Sequence, residues 1–382
     1  MRLSASTTRA VLAAAVILTV TGCNDEAIVP TVDLSDAPSA ASFWNSAGRE
    51  PFKVYSQNVY LGGDTDPIFS LDFSNIPAVI GATNTFWNQV RASRIPERAA
   101  SIVDEIAAKR PHLVGLEEVF QFAVLDMGAG GAVVDGADLL ASIQSEISRR
   151  ALPYEVVRIQ ANTAVNLPLS PRLILSATDR VVVLRRTDVE VTASAQSTYA
   201  ARFTLGPVTL KRGWIRVSAR YEDRPFHFIA THLETQRLAP VQAGQAAELL
   251  GGVADGLDGM TIISGDLNSD DAHPGAPSWT PTYNTLIAAG FVDLYEARGH
   301  GNDPGYTCCQ ESDLRNADSH LDERIDFVLA RDARYGDKIP GGIEVEIVGE
   351  EQNDRTDPSG MWRADHAGLV AGLKLPKEYN EN

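Results

Sequence analysis

Apolar residues occur along the chain in short runs that alternate with amphipathic segments. Runs with strand character lie at 52–61, 112–119, 180–186, 213–221, 226–233, 260–264, 324–330 and 367–375. Apolar residues at helical spacing predict helices at 96–109, 137–150, 240–250 and 282–289. Segment 62–87 follows neither period. It is predicted to be a long irregular insertion, and its length makes it a candidate specificity loop.

Numerous strands with few helices between them predict packed mixed sheets flanked by helices, which is an α/β layered sandwich. Hydrophobic residues make up 44% of the 382 residues and charged residues 22%. Both shares are ordinary for a soluble globular protein with a full core. No internal repeat is visible in the sequence, and the pattern indicates one domain.

The N-terminal residues have the pattern of an export signal. Arg2 and Arg9 flank a polar start, and the apolar run 10–20 is too short to span a bilayer but fits a signal peptide. The run ends in VTGC, which resembles the lipobox of bacterial lipoproteins, where cleavage precedes a cysteine that carries lipid. We predict a lipoprotein signal peptide at 1–22 and a lipid anchor at Cys23. An ordinary signal peptide with an incidental cysteine is the alternative.

The residues after this cysteine are rich in Ala, Ser, Asp and Pro and lack sustained periodicity. They predict a flexible tether at 23–50, a folded domain at 51–376 and a C-terminal tail at 377–382. We therefore expect an exported protein that is attached by lipid to a membrane of the bacterial cell envelope, and we predict no protein partner.

The formal net charge of −17 bears on the substrate. A strongly acidic surface repels polyanions at long range and provides no steering toward nucleic acid. The charge weakens a nuclease interpretation without excluding it, because a local basic cleft can still bind phosphate.

Two further cysteines, Cys308 and Cys309, are adjacent in sequence. In an exported protein they could form a vicinal disulfide, and two free thiols or an intermolecular bridge are equally tenable. Two neighbouring cysteines lack the ligand spacing of a structural zinc site.

Polar side chains recur where the apolar strands end or break. One histidine after a strand is more often structural than catalytic, but an acid within an apolar strand is costly to bury without a partner. Together these acids and histidines have the chemistry of a divalent metal with general acid and base groups, and oxygen ligands favour Mg²⁺ or Mn²⁺ over zinc. The residues are Asn58, Glu117, Glu118, His232, Asp266, Asn268, Asp326, Asp365 and His366.

The order and context of these residues resemble the endonuclease/exonuclease/phosphatase superfamily. Its members include pancreatic-type deoxyribonucleases, abasic-site endonucleases, neutral sphingomyelinases and inositol polyphosphate 5-phosphatases. The motifs NVYLG, LEEV, THLE, GDLN, RIDFVL and DH occur in the family's order and extend over roughly 52–375. The resemblance implies a four-layer α/β sandwich of two packed mixed β-sheets flanked by helices.

The resemblance also implies a site for Mg²⁺ or Mn²⁺. Glu118 corresponds to the main metal ligand, with Asn58 and Asp365 beside the metal. Two positions depart from the family pattern: Glu117 stands where glutamine is usual, and Ala364 stands where the family has serine. The lost serine hydroxyl is tolerable because it has no obligatory chemical role.

For catalysis, the resemblance implies that Asp266 orients or deprotonates the attacking water and that Asn268 contacts the scissile phosphate. His366 corresponds to the histidine at the end of the family pattern, and Asp326 to the acid that orients it. His232 is the second histidine and a further phosphate contact. Whether Asp266 or His366 is the general base stays open.

Three other features are less specific. Arg212 precedes a strand and is as much a candidate phosphate ligand as a solvated surface residue. For Arg180 the solvated surface position is slightly favoured. Segment 305–327 is a candidate loop on the substrate side, although most of its polar residues fit a solvated acidic loop.

Three functions follow from these residues. The first is a secreted or membrane-anchored, metal-dependent phosphoesterase that acts on a phosphodiester or phosphomonoester by in-line water attack. The acidic surface and the predicted tether mildly favour small phosphodiesters or lipid head groups over nucleic acid. The second is an extracellular endonuclease acting on DNA or RNA. The third, an inactive relative that binds a surface partner, conflicts with the complete set of site residues.

Overall fold

The computed structural model describes residues 51–206, 208–271, 277–333, 339 and 342–376. The predicted signal peptide, tether and C-terminal tail, with Cys23, lie outside the described residues. Within the described ranges, no helix is both long enough and apolar enough to cross a membrane.

Helices and strands alternate irregularly along the chain. The helices are α1 (Asp66–Phe69), α2 (Ile76–Ala92), α3 (Ile95–Lys109), α4 (Leu139–Arg149), α5 (Ala239–Glu248), α6 (Thr282–Ala288) and α7 (Leu294–Arg298). The strands of the N-terminal half are β1 (Phe52–Asn58), β2 (Leu113–Glu117), β3 (Gln121–Asp126), β4 (Ala132–Asp138), β5 (Tyr154–Pro168), β6 (Leu173–Arg186) and β7 (Glu190–Thr198). The remaining strands are β8 (Phe203–Leu205), β9 (Val208–Leu210), β10 (Gly213–Tyr221), β11 (Arg224–Thr231), β12 (Met260–Asp266), β13 (Val292–Asp293), β14 (Asp326–Asp332), β15 (Glu344–Val348) and β16 (Gly368–Leu373).

Two mixed sheets contain most of these strands. The first has eight strands in the order β15-β16-β1-β2-β6-β3-β4, with β5 paired to β6. The second has six strands in the order β13-β14-β12-β11-β10-β7. Strands β1 and β2 run parallel at the centre of the first sheet, and β11 and β12 run parallel at the centre of the second.

The two sheets pack face to face through a layer of apolar side chains. Alternate residues of each strand face this layer, as the two-residue period of a strand requires. In β1, Val54 belongs to the layer between the sheets, whereas Tyr55 packs on the opposite side with α2, α3 and α4. A third apolar cluster joins α5 and α6 to the second sheet. The order helix, sheet, sheet, helix confirms the predicted four-layer α/β sandwich.

The prediction of an irregular insertion at 62–87 is wrong. Most of this segment is helical, in α1 and α2. Asn75 caps α2 by accepting a hydrogen bond from the backbone N of Ala78, and Pro77 lies in its first turn, where a missing N–H costs nothing. Phe86 and Trp87 pack into the core from this helix. The buried residues of α2 recur at helical spacing, but Gly81, Asn84 and Asn88 on its exposed side are weak helix formers.

The sequence pattern also missed strands β3, β4, β5, β7 and β15 and the short strands β8, β9 and β13. Strand β4 is mostly exposed, and β5 and β7 expose many of their residues, so their apolar periods are weak. The helix predicted from residue 137 begins at Leu139, because β4 continues to Asp138, whose side chain caps the helix by accepting from Ala141 N.

Candidate active site

The polar residues singled out in the sequence lie at one end of both sheets. Asn58 and Glu117 are the last residues of β1 and β2 and occupy paired positions of these parallel strands. Asp266 and Asp326 face each other across the antiparallel pair β12 and β14. His232 follows the last residue of β11 directly. The topology therefore brings residues from distant parts of the chain to one place.

Asn58 connects the two sheets through its side-chain amide. Its Nδ2 donates to Asp266 Oδ2 at 3.1 Å, and its Oδ1 accepts from Tyr60 N at 3.0 Å. The other carboxylate oxygen of Asp266 accepts from the backbone N of Asn268 at 2.8 Å. Burial and then the charge of Asp326 raise the pKa of Asp266 to about 7. A carboxylate with such a pKa is suited to accepting a proton near neutral pH.

Asp326 and His366 form a buried acid–histidine pair. Asp326 Oδ2 lies 2.8 Å from Nδ1 of His366, so Nδ1 carries a proton, and Nε2 lies 4.0 Å from Asp266 Oδ2. Burial alone would lower the pKa of His366. The carboxylates of Asp326, Asp365 and Asp266 outweigh burial and raise this pKa well above its usual value. The ring is thus a proton donor that faces Asp266.

Arg212 fixes the tautomer of His232. Its Nη1 lies 2.9 Å from Nδ1 of the ring, and because a guanidinium only donates, Nδ1 must accept. The ring proton is therefore on Nε2, which lies 3.3 Å from Asp266 Oδ2 and donates to it, and the nearby Asn268 Nδ2 donates to Leu233 O at 3.0 Å. Burial, and then the charges of Arg212 and His366, hold the pKa of His232 well below its usual value. His232 is a neutral hydrogen-bond donor.

Acids behind Arg212 hold the guanidinium in place. Glu234 Oε1 lies 3.4 Å from its Nη2 and Asp179 Oδ2 lies 3.9 Å from its Nη1. Asn162 donates to the same Asp179 oxygen at 3.1 Å. The arginine side chain is 16% exposed, so it is not a solvated surface residue. Through His232 it belongs to the site.

One of the predicted metal ligands has a carboxylate oxygen without a protein partner. Asp365 Oδ1 is buried and has no hydrogen-bond partner among the described residues. Burial raises the pKa of Asp365 to about 7, and the carboxylate of Glu118 adds to this rise. Glu118 accepts one hydrogen bond, from Leu61 N at 3.0 Å. Two mutually repelling carboxylates, with the amide oxygen of Asn58 at the adjacent strand end, are oxygen donors that fit Mg²⁺ or Mn²⁺.

Arg98 does not satisfy these carboxylates by hydrogen bonding. Its buried guanidinium donates to backbone oxygens of Val59, Tyr60 (2.6 Å) and Arg363 (2.7 Å) and to the hydroxyl of Ser93. Its positive charge acts on Glu118 and Asp365 only through space. The carboxylate oxygens therefore stay available for a cation.

Glu117, the position where glutamine is usual, is fully buried. Neither of its carboxyl oxygens has a hydrogen-bond partner within the described ranges. Burial and then the charges of Asp326 and Asp266 raise its pKa well above the usual value. A protonated carboxylic acid is neutral and close in shape to an amide. The substitution is therefore mild, and Glu118 is the member of the pair that offers a charged ligand.

Backbone conformation gives a second sign of a specialised site. Tyr60, Glu118 and Asn268 have φ angles of 60°, 55° and 48°. Residues with a side chain rarely adopt this left-handed region, which costs of order 1–2 kcal/mol for each. Two of the three are predicted site residues, and all follow a strand end.

The structure corrects the prediction for Arg180 and adds residues that the sequence did not reveal. Arg180 is buried, and it donates to Val119 O at 2.7 Å and pairs with Asp138. It supports the chain beside Glu118 and is not a solvated residue. Asp179, an acid within an apolar strand, was the available signal for the acids behind Arg212. No sequence signal indicated that Cys308 lies beside His366.

The predicted residues thus fall into three adjoining groups. Asp266 lies between the two histidines and Asn58, Arg212 stands behind His232, and the carboxylates for a metal are Glu118 and Asp365, whose charges act on each other and, for Glu118, also on Arg212. Segment 305–327 adjoins the site, since Gln310 N donates to Asp365 O at 2.8 Å and Cys308 forms a β-bridge with His366.

Solved structures with the same architecture were found by comparison of the fold. An endonuclease/exonuclease/phosphatase family protein from Leptotrichia buccalis aligns with a TM-score of 0.53 at 14% identity, covering 85% of this chain and 99% of that chain. A protein of this family from Bacteroides vulgatus aligns with a TM-score of 0.49 at 14% identity, covering 86% and 100% of the two chains. D. rerio TDP2 with a single-strand DNA product aligns with a TM-score of 0.48 at 15% identity, covering 85% and 98%.

No protein-family model and no curated protein sequence matches the chain. The similarity to the Leptotrichia protein establishes the fold: this chain has the α/β sandwich of endonuclease/exonuclease/phosphatase proteins. At this level of identity the comparison defines the architecture, and function must be argued from the site.

Proposed function

We propose that this protein is a divalent-metal-dependent phosphoesterase that hydrolyses its substrate by in-line attack of water. The observation that carries the proposal is the position of Asp266. Three side chains surround its carboxylate. They are the neutral His232, His366 with its ring oriented by Asp326, and Asn58, whose amide donates to one carboxylate oxygen. Asp266 can accept the proton of a water, while donors on either side stabilise negative charge on a phosphoryl group.

Each side chain has a distinct part in this scheme. Asp266 orients and deprotonates the water. The Asn268 amide and the Nε2 proton of His232 donate to phosphoryl oxygens, and the Arg212 charge behind them adds to this stabilisation. His366, held by Asp326, delivers a proton from Nε2 to the leaving oxygen. Mg²⁺ or Mn²⁺ bound by Glu118, Asp365 and the Asn58 oxygen would supply positive charge for the pentavalent transition state.

The substrate we propose is a small phosphodiester, a phosphomonoester or a lipid head group. The formal net charge of −17 opposes the approach of a long polyanion, whereas a small or membrane-held substrate needs no long-range steering. Extracellular cleavage of DNA or RNA is the second candidate, because donors that bind the phosphate of a small phosphodiester can equally bind the phosphate of a nucleic acid.

We also propose that the protein is exported and anchored by lipid at Cys23. The charged start, the apolar run 10–20 and the VTGC sequence support this placement. Cys23→Ser should release the protein from bacterial membranes into the soluble fraction. Unchanged membrane retention would contradict lipid attachment.

A substrate panel tests the proposed activity. The purified chain, stripped of metal with a chelator, would be assayed with Mg²⁺ or Mn²⁺ against bis-p-nitrophenyl phosphate, inositol phosphates, sphingomyelin, plasmid DNA and RNA. We expect metal-dependent hydrolysis of a small phosphoester or of a lipid phosphoester. Plasmid nicking or RNA cleavage as the sole activity would establish the second candidate. Absence of turnover of every substrate with both metals would overturn the phosphoesterase proposal.

A further inference from the structure

The adjacent cysteines lie against the candidate active site. The structure joins Cys308 and Cys309 in a disulfide. Cys308 is 1% exposed and its Sγ lies 3.5 Å from Nε2 of His366, whereas Cys309 is exposed to solvent. The two sulfur atoms and the ligand nitrogen of His366 all lie within 4.8 Å of one another. Two thiols and an imidazole at this distance are a set of metal ligands.

Backbone hydrogen bonds keep this arrangement independent of the sulfur–sulfur bond. Cys308 forms isolated β-bridges with both His366 and Glu323. Next to the first bridge, Ala367 N donates to Thr307 O at 2.8 Å. Since these contacts involve no sulfur, opening the disulfide leaves the Cys308 side chain beside the histidine ring.

We propose that Cys308, Cys309 and His366 of the reduced chain bind a thiophilic divalent cation such as Zn²⁺. The disulfide is opened by a dithiol reductant that attacks the exposed Cys309 sulfur. Two electrons pass to the two cysteine sulfurs, each of which takes a proton, and the reductant leaves as its own disulfide. Binding of the cation then displaces the two thiol protons and the Nε2 proton of His366, and all three protons pass to solvent.

The distance between Cys308 and His366 fits a tetrahedral ion, and the two sulfur atoms move apart once the disulfide is opened. Zinc lies about 2.3 Å from a thiolate sulfur and about 2.0–2.1 Å from an imidazole nitrogen, so sulfur and nitrogen ligands are about 3.5 Å apart. The observed separation between Cys308 Sγ and His366 Nε2 is 3.5 Å. Asp326 accepts from Nδ1, which is the usual support of a metal-binding histidine and leaves Nε2 for the ion.

This site differs in ligand chemistry from the oxygen site at Glu118 and Asp365. Soft thiolates select zinc or cadmium, whereas carboxylates select magnesium or manganese. Both sites adjoin His366, and a thiophilic cation would take the nitrogen that faces Asp266. The reduced protein would thus be inhibited by such a cation, and this consequence rests on the proposed phosphoesterase activity.

Cadmium binding tests the site without reference to activity. The full chain is reduced with a phosphine, which takes oxygen from water as the two sulfurs become thiols, and the phosphine is then removed under anaerobic conditions. Titration with Cd²⁺ should raise an ultraviolet thiolate-to-metal charge-transfer band that saturates at one equivalent. The oxidised chain should show no such band.

Variants separate this site from other thiols. The double variant Cys308→Ser/Cys309→Ser keeps Cys23 and should lose the band. Cys309→Ser alone and His366→Gln should each weaken Cd²⁺ binding by about tenfold or more. A reduced wild-type chain without a saturable band, or a double variant with the same band, would overturn the site.

Inhibition by Zn²⁺ tests the link to the active site. With Mg²⁺ in excess, Zn²⁺ should inhibit turnover by the reduced wild type and spare both the oxidised protein and reduced Cys309→Ser. Equal Zn²⁺ sensitivity of all three would overturn the link to the active site. If the reduced wild type hydrolyses a phosphoester but shows no Cd²⁺ band, the cation site is refuted and the phosphoesterase stands. If it shows the band but hydrolyses no substrate, only the phosphoesterase is refuted.

Discussion

Asn58 donates a hydrogen bond of 3.1 Å from its Nδ2 atom to Oδ2 of Asp266. This contact joins the end of β1 in one sheet to the end of β12 in the other. It is buried, and it orients the carboxylate on which the proposed chemistry depends.

Asn58→Ala should therefore destabilise the fold as well as reduce turnover. The substitution removes one of the two donors that face Oδ2 of the buried Asp266 carboxylate and leaves only Nε2 of His232 there, which costs about 1–3 kcal/mol in the free energy of unfolding. Urea denaturation measures this change. Asn166→Ala, at an exposed position of β5, is the control and should stay within about 0.5 kcal/mol of wild type. Equal stability of the two variants would contradict the structural role of Asn58.

Arg212 should act on the reaction through His232. Arg212→Met removes the donor that holds Nδ1 and the charge behind the phosphate donors, so kcat/KM should fall by about 10²–10³. Steady-state kinetics on a hydrolysed substrate of the panel measures the loss. Arg212→Lys keeps the positive charge but not the forked geometry of the guanidinium, so its kcat/KM should lie between those of wild type and Arg212→Met.

Arg216 provides a matched control for this prediction. It lies on β10, is partly buried and donates to Val253 O at 2.9 Å. Arg216→Gln should leave turnover unchanged. If Arg216→Gln lost as much activity as Arg212→Met, a general loss of folding would explain both results.

Arg180 and Arg172 allow a comparison of a buried with an exposed ion pair. Arg180→Ala removes the charge partner of Asp138, which keeps the Ala141 N–H as a donor, and takes a buried donor from Val119 O, so the free energy of unfolding should fall by about 1–3 kcal/mol. Arg172 is 65% exposed in its pair with Asp126, and Arg172→Ala should cost about 0–1 kcal/mol. Guanidinium denaturation measures both, and equal effects would show that Arg180 is a surface residue after all.

His112 should make stability depend on pH. Burial, and then the charge of Arg186, lower its pKa from 6.5 to about 2, and its Nδ1 accepts from Lys53 N at 2.9 Å. Below pH 6.5 the His112 ring therefore binds a proton in the unfolded chain but not in the folded chain. The stabilisation is complete above pH 6.5 and is lost as pH falls toward 2, by about 1.4 kcal/mol per pH unit within that window.

The measurement is a comparison of wild type with His112→Asn, which keeps an acceptor for Lys53 N. Other groups contribute the same pH dependence to both proteins, so the difference in unfolding free energy isolates the histidine. The advantage of wild type should shrink as pH is lowered from 7 to 4. A constant difference would mean that His112 titrates normally in the folded protein.

The strand ends were predictable from sequence because a buried acid or amide next to an apolar run is unusual: Asp266 ends one such run and Asp326 begins another. The fold followed from the order of these motifs. Helix α2 was missed because Gly81, Asn84 and Asn88 on its exposed side are weak helix formers, although its buried residues recur at helical spacing. The burial of Arg180 was missed because its partners come from β4 and the turn after β2, which no local pattern reveals.

The other site contacts that were not predicted from the sequence join residues that are far apart along the chain. Asp179 and Glu234 meet at Arg212 although all three are far apart in sequence. Cys308 approaches His366 across 58 residues, through backbone bridges of an irregular segment. Such contacts arise from the tertiary fold, and a single sequence gives no pattern for them.

The most direct test of the proposed chemistry is metal-dependent turnover by variants of Asp266 and His366. Asp266→Asn and His366→Gln keep the size of each side chain, and His227→Gln, on the same strand that leads to His232, serves as the control. With Mg²⁺ or Mn²⁺ and a phosphoester that the wild type hydrolyses, we expect kcat to fall by about 10²–10⁴ in the first two variants and to stay unchanged in the third. Wild-type turnover by Asp266→Asn or His366→Gln would contradict the assignment of this site.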